Sequence, residues 1–271
     1  MDLTTTLKSL AEARPAFKPG HVWLAGAGPG SAECLTLGVL SAIQEADVIV
    51  YDALVDDSVL AFAQHAELQF VGKRGGQKSI DQEQINQRLI DLAGAGHRVL
   101  RLKGGDPFIF GRGGDEALAL TQAGIGFRIL PGVTAASGAA ASAVIPTTMR
   151  GINKAVILAT GHGADSDDDI DWQALGRTGQ PIIIYMGLRN LPLITAALMR
   201  GGLLATTPAA AVMSATCADE TVLEATLGSL AAAVSAADLR APSLIFVGEI
   251  VPMRAQLTAD LPPLSDSGSG P

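Results

Sequence analysis

Two glycine-rich turns carry most of the side chains in this sequence that could bind a charged ligand. One is the basic turn 71–76, which contains Lys73 and Arg74. The other is the loop 102–116, in which Asp106, Arg112 and Asp115 stand among five glycines. Lysine and arginine hold carboxylates through charge-assisted hydrogen bonds, and a carboxylate can accept a proton during a reaction. Glycines alone would indicate only flexibility, but the interspersed charges favour a binding loop.

A third glycine-rich turn, Gly26-Ala27-Gly28-Pro29-Gly30-Ser31, follows the first predicted strand. It invites comparison with a dinucleotide-binding fingerprint, and Asp52 stands where such a site places its ribose carboxylate. Two residues argue against NAD. Ser31 replaces the third glycine of the fingerprint, and Pro29 has no N–H to offer a pyrophosphate. An NAD-dependent dehydrogenase is therefore the weaker alternative.

Short apolar runs alternate with helical patterns along the whole chain, which predicts an α/β fold. Five strands are predicted before residue 131 and four after residue 154. The predicted organisation is a flexible arm, an N-terminal α/β domain with a mainly parallel sheet, a connection, a C-terminal α/β domain with a mixed sheet, and a disordered tail. Their boundaries are 1–19, 20–131, 132–153, 154–260 and 261–271. In parallel α/β sheets ligands bind where the strands end, which is where the two charged turns begin.

The distribution of charge narrows the function further. The chain of 271 residues has a formal charge of −8, which argues against nonspecific binding of nucleic acid. Residues 72–154 nevertheless carry 11 basic and 6 acidic side chains, as expected of a site for an anionic ligand or of ordinary solvated surface.

Several features of cellular context can also be read from the sequence. No apolar run reaches the roughly 18–20 residues of a membrane span, and residues 1–20 do not resemble a signal peptide. Cys34 and Cys217 lie far apart, and the histidines and cysteines lack metal-ligand spacing, so we expect no bound metal. We expect a cytoplasmic protein with reduced thiols.

The longer motifs resemble the tetrapyrrole methylase family over about residues 21–254. The most specific is RLKGGDPFIFGRGG at 101–114. Shorter motifs agree with it: GAGPG at 26–30, VYDALV at 50–55, VGKRGG at 71–76, PGVTAASG at 131–138, YMG at 185–187 and VGEIV at 247–251.

The resemblance implies a two-domain α/β tetrapyrrole methylase fold and a homodimer, with S-adenosyl-L-methionine bound in a cleft between the domains. The implied reaction is methylation of uroporphyrinogen III at two pyrrole carbons to give precorrin-2, which leads to siroheme, cobalamin or haem d1. No nucleic-acid or membrane partner is expected. Some relatives carry an additional dehydrogenase–ferrochelatase module, which we expect this chain to lack.

Matching positions imply individual roles. Asp52 and Lys73 match the proton acceptor and donor. Arg112, Asp115 and Arg150 match porphyrinogen-side positions of the active site, and we count Arg112 and Asp115 among the catalytic residues. Arg74 and Met149 are expected to bind the substrate together with Arg112 and Arg150. Cofactor contacts are implied at Pro29, Gly104, Gly105, Asp106, Ile109, Thr134, Ala135, Met186 and Ala215.

Several of these residues also have simpler readings. Asp52 and Asp106 could cap turns, Lys73 could be solvated, Met186 could be core filler, and Thr134 could cap a helix.

Three residues depart from the family pattern. Met149 replaces the usual histidine, Asp115 replaces glutamate, and Ser31 replaces aspartate. Methionine cannot donate a strong hydrogen bond, so Met149 puts the affinity and regiochemistry of porphyrinogen binding in question. A later precorrin methyltransferase, or a binding protein with poor turnover, therefore stays open beside the main interpretation.

Overall fold

The computed structural model describes residues 14–72, 81–162 and 170–259, together with Thr5, Ser9 and Glu12. The chain divides into two compact units. One comprises residues up to Gly138 together with Ser214–Glu220, and the other comprises Ala139–Met213 together with the chain from Thr221 onward. Residues 214–220, late in the chain, thus belong to the first unit. This grouping is not apparent from sequence order.

The first unit is built on a parallel sheet with strand order β3-β2-β4-β1-β5 among the described residues. Its strands are β1 Val22–Gly26, β2 Val48–Tyr51, β3 Glu67–Phe70, β4 Val99–Lys103 and β5 Phe127–Leu130. The helices that accompany them are α1 Leu37–Glu45, α2 Asp57–Leu60, α3 Gln82–Gly94, α4 Gly113–Gln122 and α5 Ala135–Ser142. Helix α5 begins in the first unit and continues into the second.

Every residue of β1 and β4 is buried, as expected for central strands of a parallel sheet that is covered on both faces. In β4 this burial includes two cationic side chains, Arg101 and Lys103. Charged groups are rarely buried without partners, because removing them from water is costly. The centre of this sheet must therefore contain compensating charge.

Local sequence determines where several helices start. The Asp81 side chain accepts a hydrogen bond from the N–H of Gln84, and the Gln84 side chain accepts one from the N–H of Asp81. This capping box fixes the start of α3. Thr36 caps α1 in a similar way, through the N–H of Val39.

The second unit contains a mixed sheet with strand order β6-β7-β10-β8-β9 among the described residues. Only the β6–β7 pairing is parallel there; the other three pairings are antiparallel. Its strands are β6 Ile157–Thr160, β7 Ile182–Tyr185, β8 Pro208–Met213, β9 Thr221–Thr226 and β10 Ser243–Val247. Its helices are α6 Trp172–Arg177, α7 Leu191–Arg200, α8 Leu230–Ala236 and α9 Met253–Thr258.

The predicted combination of a parallel first sheet and a mixed second sheet is confirmed. Strand β9 was not predicted from the sequence. It lies at the edge of its sheet, where residues are mostly exposed or half-buried and the apolar pattern is weak.

The described end of the predicted N-terminal arm is packed. Phe17 is buried and stacks on Trp23, with the two ring centroids 4.2 Å apart. The guanidinium of Arg14 lies 4.5 Å from the centre of the Trp23 ring, and that of Arg128 lies 5.2 Å from it. The contacts of Arg14 and Phe17 tie this part of the arm to β1, although a flexible arm was expected here. No helix of the described residues is both long and apolar enough to cross a membrane.

Candidate functional site

The loop after β1 and the loop after β4 meet through glycine backbones. Gly28 and Gly105 form an isolated bridge in which each N–H donates to the other residue's carbonyl, at 3.2 and 2.6 Å. A Cβ placed on Gly26 would lie 2.4 Å from the Gly105 oxygen and 2.6 Å from the Gly132 Cα. Real Cβ atoms do not approach so closely. Only glycine fits at position 26, because the backbones of the loops after β1, β4 and β5 are in direct contact there.

Asp106 links two of these loops. One carboxylate oxygen accepts a hydrogen bond from the Phe108 N–H at 2.8 Å, and the other accepts from the Gly132 N–H at 3.0 Å. The predicted capping contact is therefore present, and a second contact to the loop after β5 accompanies it. The backbone N of Ala135 lies 3.5 Å from the position of a Gly105 Cβ, and the Thr134 Cα lies 3.9 Å from it. The structure thus brings Gly105, Asp106, Thr134 and Ala135 together.

The segment 214–220 packs against the first glycine loop. The Ser31 N–H donates to the Thr216 hydroxyl at 3.1 Å, and the Thr216 N–H donates to the Glu220 carboxylate at 2.6 Å. A Cβ on Gly30 would lie 2.5 Å from the Cys217 sulfur and 3.0 Å from the Ala215 oxygen. This contact places Ala215 beside the glycine loop, although the neighbouring pair Ser31 and Thr216 is 185 positions apart in the sequence.

Pro29 and Gly104 complete the close contacts of these loops. A Cβ on Gly138 would lie 2.3 Å from the Pro29 ring, and a Cβ on Gly104 would lie 2.5 Å from the Leu54 Cβ. Gly104 therefore packs against the turn that carries Asp52. Ile109 continues the same loop, and its N–H donates to the Asp106 carbonyl at 3.4 Å.

Asp52 follows β2 and makes two contacts. One oxygen accepts from the Leu54 N–H at 3.1 Å, and the other accepts from the Arg101 guanidinium at 3.3 Å. Its side chain is 26% exposed, and that of Arg101 is 3% exposed. A partly exposed carboxylate is thus held from below by a buried cation and remains accessible to a ligand.

Sequence reasoning missed the buried residues behind Asp52. Glu116 of α4 is fully buried, and it accepts from Arg101 at 3.1 Å and from Lys103 at 2.8 Å. Burial, followed by repulsion from Arg101, lowers the pKa of Lys103, and the nearby carboxylates oppose this shift. The sequence did contain a signal for such a partner. Arg101 and Lys103 stand two residues apart in a strand that was expected to be buried, and two buried cations require a nearby carboxylate.

Arg112 and Asp115 lie on the surface at the start of α4. Arg112 has a φ of 57°, in the left-handed region, and its Nε donates to the Asp115 carboxylate at 2.9 Å. Both side chains are more than half exposed. An exposed guanidinium paired with only one carboxylate keeps other donors for an anionic ligand.

Met149, Arg150 and Met186 lie in the second unit. The Met149 N–H donates to the Asn153 side chain at 2.9 Å, and the Asn153 amide donates to the carbonyls of Thr147 and Ala155. Asn153 therefore organises the turn that presents Met149 and Arg150, which the sequence reading did not recognise.

Met186 follows β7 with a φ of 51° and is 53% exposed, which does not fit core filler. As at Asn153, an asparagine side chain that donates to a main-chain carbonyl supports this turn. The buried Asn190 side chain donates to the Gly161 carbonyl at 2.9 Å, and the Gly161 N–H donates to the Tyr185 carbonyl at 2.7 Å. A Cβ on Gly161 would lie 2.6 Å from the Gly187 Cα, so the main chain is closely packed on both sides of Met186.

Two of the predicted site residues, Lys73 and Arg74, lie outside the described residues. Within the described ranges, no group of three or more His, Cys, Asp or Glu side chains is arranged to hold a metal ion.

Comparison with known proteins gives one consistent result. A uroporphyrinogen-III C-methyltransferase from Sinorhizobium sp. is 48% identical over 246 residues, covering 90% of this chain and 88% of that protein. A siroheme synthase from Pseudomonas fluorescens is 46% identical over 244 residues. This chain spans only 53% of that longer protein.

A solved structure agrees with these sequence relatives. It is the uroporphyrin-III C-methyltransferase of Thermus thermophilus in complex with S-adenosylhomocysteine, with a TM-score of 0.74 and 35% identity. The match covers 86% of this chain and 99% of that one.

The family model of the Tetrapyrrole (Corrin/Porphyrin) Methylases matches residues 21–231, which include β1 to β9 and the three glycine-rich turns. This chain belongs to the tetrapyrrole methylase family.

Proposed function

We propose that this chain transfers two methyl groups from S-adenosylmethionine to pyrrole carbons of uroporphyrinogen III, giving precorrin-2. The observation that carries the proposal is the 48% identity, over 90% of the chain, to a protein with that activity in its name. The similar Thermus thermophilus structure contains S-adenosylhomocysteine, the product left when S-adenosylmethionine gives up its methyl group.

The loops at the ends of β1, β4 and β5 suit this methyl donor. Adenosine and methionine need close contact with main chain and a few polar groups, but no cluster of N–H donors for a phosphate. Pro29 is therefore acceptable where it would weaken a dinucleotide site. We assign cofactor contact to Pro29, Gly104, Gly105, Asp106, Ile109, Thr134, Ala135, Met186 and Ala215.

The substrate side requires cations, because uroporphyrinogen III carries a carboxylate on every side arm. We assign Arg112, Arg150 and Arg74 to these carboxylates, with Met149 beside them. Arginine binds carboxylates through two parallel hydrogen bonds and does not lose its charge at neutral pH. The excess of basic residues between 72 and 154 is consistent with this role.

The reaction also requires control of protons. S-adenosylmethionine would supply an electrophilic methyl group: its bond to an electron-rich pyrrole carbon forms as its bond to sulfur breaks, and S-adenosylhomocysteine is the leaving group. The ring system gains positive charge and then loses a proton. We assign Asp52 as the proton acceptor and Lys73 as the donor, and Asp115 stabilises the charge that develops. The positioning of the two reactants accounts for most of the remaining acceleration.

The test is anaerobic incubation with uroporphyrinogen III and S-adenosylmethionine, followed by absorbance and product mass. We expect two methyl groups to be added per tetrapyrrole over many turnovers. An enzyme that binds S-adenosylhomocysteine but adds no methyl group would overturn the choice of substrate and leave the methyl donor standing.

Met149 is the observation that favours a second candidate. Because methionine replaces the usual histidine, the acceptor could differ from uroporphyrinogen III. A precorrin that is methylated at a later step is therefore the next methyl acceptor to assay. Release of less than one product per protein would instead identify a binding protein with poor turnover. Binding of NAD in place of S-adenosylhomocysteine would revive the dehydrogenase alternative.

We also propose a homodimer and a cytoplasmic location. The homodimer rests on the family resemblance, and light scattering of the purified chain tests it. Cys34 and Cys217 are both free thiols, which suits a reducing compartment. Fractionation of cells that express the chain tests the location.

A further inference from the structure

Four charged side chains form a connected cluster under the carboxyl ends of β2 and β4. Arg101 and Lys103 come from β4, Glu116 comes from α4, and Asp52 follows β2. Arg101, Lys103 and Glu116 are each less than 5% exposed, whereas Asp52 is partly exposed. Two positive and two negative groups face each other here. Removing one of them leaves an uncompensated charge in a region from which water is largely excluded.

Every nitrogen of the Arg101 guanidinium is engaged. The Nε donates to Glu116 at 3.1 Å, one terminal nitrogen donates to the main-chain carbonyls of Val50 and Leu102, and the other donates to Asp52 at 3.3 Å. The planar group is therefore fixed by β2, β4 and α4 at once. A lysine at this position would keep the charge but could not reproduce these divergent contacts.

Glu116 secures the opposite side of the cluster. Its Oε1 accepts from Arg101, from Lys103 and from the Gln82 side chain at 3.2 Å. Its Oε2 is buried and accepts no hydrogen bond from the described residues. A carboxylate held this way stabilises two buried cations that would otherwise be strongly disfavoured. The cost of burying it is consistent with a role beyond stability.

We propose that Arg101 and Glu116 are positioning residues for the methylation, with Arg101 orienting the Asp52 carboxylate and Glu116 holding Arg101 in place. This inference rests on the proposed function, in which Asp52 accepts the proton. Because Arg101 and Glu116 are buried, we assign neither of them a contact with the reactants, and both act through Asp52. The role of Asp52 therefore depends on a buried network that begins on α4.

A double-mutant cycle between Arg101 and Asp52 tests the inference. We expect Arg101→Lys to lower kcat at least about tenfold, because a charge-assisted contact that aligns the acceptor is lost. In the Asp52→Asn background the same change should alter kcat less than about twofold. Glu116→Gln, nearly equal in size, should show the same pattern and provides a second route if Arg101→Lys folds poorly. Effects that multiply in the double variants would overturn the proposal.

A matched control comes from the residues that immediately precede the same two strands. Arg98 donates to Asp47 at 3.1 Å at the opposite ends of β2 and β4. Arg98→Lys should leave kcat within about twofold of the wild type. The dissociation constant of S-adenosylhomocysteine should stay within about twofold in all variants. A parallel loss of cofactor binding and kcat would indicate a merely structural cluster and would also overturn the proposal.

A spectroscopic readout separates this inference from the proposed function. The carboxyl carbon resonance of Asp52, assigned by its absence in Asp52→Asn, should move in Arg101→Lys and Glu116→Gln but not in Arg98→Lys. This measurement does not require turnover. If the wild type adds no methyl group to uroporphyrinogen III, only the proposed substrate is contradicted, and the resonance still tests the role of Arg101. An unchanged resonance would show that Arg101 does not orient Asp52.

Discussion

The main-chain N–H of Ser31 donates to the hydroxyl of Thr216 across 3.1 Å, although 185 positions separate the two residues. Ser31 ends the first glycine loop, and Thr216 lies in the segment between β8 and β9. The hydrogen bond gives the Ser31 N–H a partner, in the loop to which we assign binding of S-adenosylmethionine. It also holds Ala215, another proposed cofactor contact, beside Gly30. Affinity for the methyl donor should therefore depend on Thr216.

Thr216→Val removes the hydroxyl acceptor while keeping the branched shape. We expect the dissociation constant of S-adenosylhomocysteine to rise roughly three- to tenfold, the equivalent of one hydrogen bond. Isothermal titration calorimetry measures it. Thr216→Ser retains the hydroxyl and should bind as the wild type does. Equal affinity in all three proteins would show that this bond does not shape the loop.

Gly26→Ala should disrupt the close contact between the end of β1 and the backbones of Gly105 and Gly132. The new methyl group would lie 2.4 Å from the Gly105 oxygen and 2.6 Å from the Gly132 Cα, which is closer than van der Waals contact allows. We expect a loss of about 2 kcal/mol or more in the free energy of unfolding, together with weak cofactor binding. Urea denaturation measures the former.

Gly94→Ala is the control for this substitution. A Cβ there meets nothing within 4 Å, and the residue ends a helix. Alanine is the better helix former, so this variant should be unchanged or more stable by up to about 1 kcal/mol. Similar losses in both variants would mean that contact at Gly26 is not the cause.

Met149→His tests the main departure from the family pattern. An imidazole can donate a hydrogen bond to a carboxylate of the porphyrinogen, and the thioether cannot. We expect KM for uroporphyrinogen III to fall about three- to tenfold while S-adenosylhomocysteine binds as before. Steady-state kinetics under anaerobic conditions provide the comparison. A higher KM would show that the site has adapted to methionine.

Arg112→Lys separates charge from geometry at the exposed end of α4. Lysine keeps the positive charge but loses the planar pair of donors, so we expect kcat/KM for the tetrapyrrole to fall at least about tenfold. The side chain is 61% exposed, and the free energy of unfolding should change by less than about 0.5 kcal/mol. Near-normal turnover would remove Arg112 from the site.

Asp47 should make stability depend on acid pH. Hydrogen bonding to Arg98 lowers the pKa of Asp47 below its ordinary value. The folded protein therefore binds this proton less readily than the unfolded chain does. The stabilising contribution is complete above the unfolded pKa and is lost as pH falls through the folded one.

We expect Asp47→Asn to be destabilising by a constant amount from pH 7 to about 5, with the difference from wild type shrinking below about pH 4. Thermal unfolding across this range measures it. The same substitution made in an Arg98→Met background should show little pH dependence. A difference that grows in acid would contradict the assigned sign.

The sequence by itself determined the class of fold and the chemical identity of most site residues. Alternating strands and helices follow from local apolar periodicity, and Asp81 caps its helix through neighbours only three residues away. The motif at 101–114 was sufficient to identify the family, because so many required residue types in fixed order rarely arise together. These are local properties, and the chain displays them before it folds.

The tertiary structure decided which distant residues share a site. Residues 214–220 belong to the first unit although they lie late in the chain. Ion pairs also connect Glu116 through Arg101 to Asp52. Both features depend on contacts between elements that are far apart in sequence. Periodicity showed that β4 would be buried, but not that two cations within it would find their partner on α4. Charge burial is tolerated only when the complete set of partners is assembled, and that assembly exists only in the folded chain.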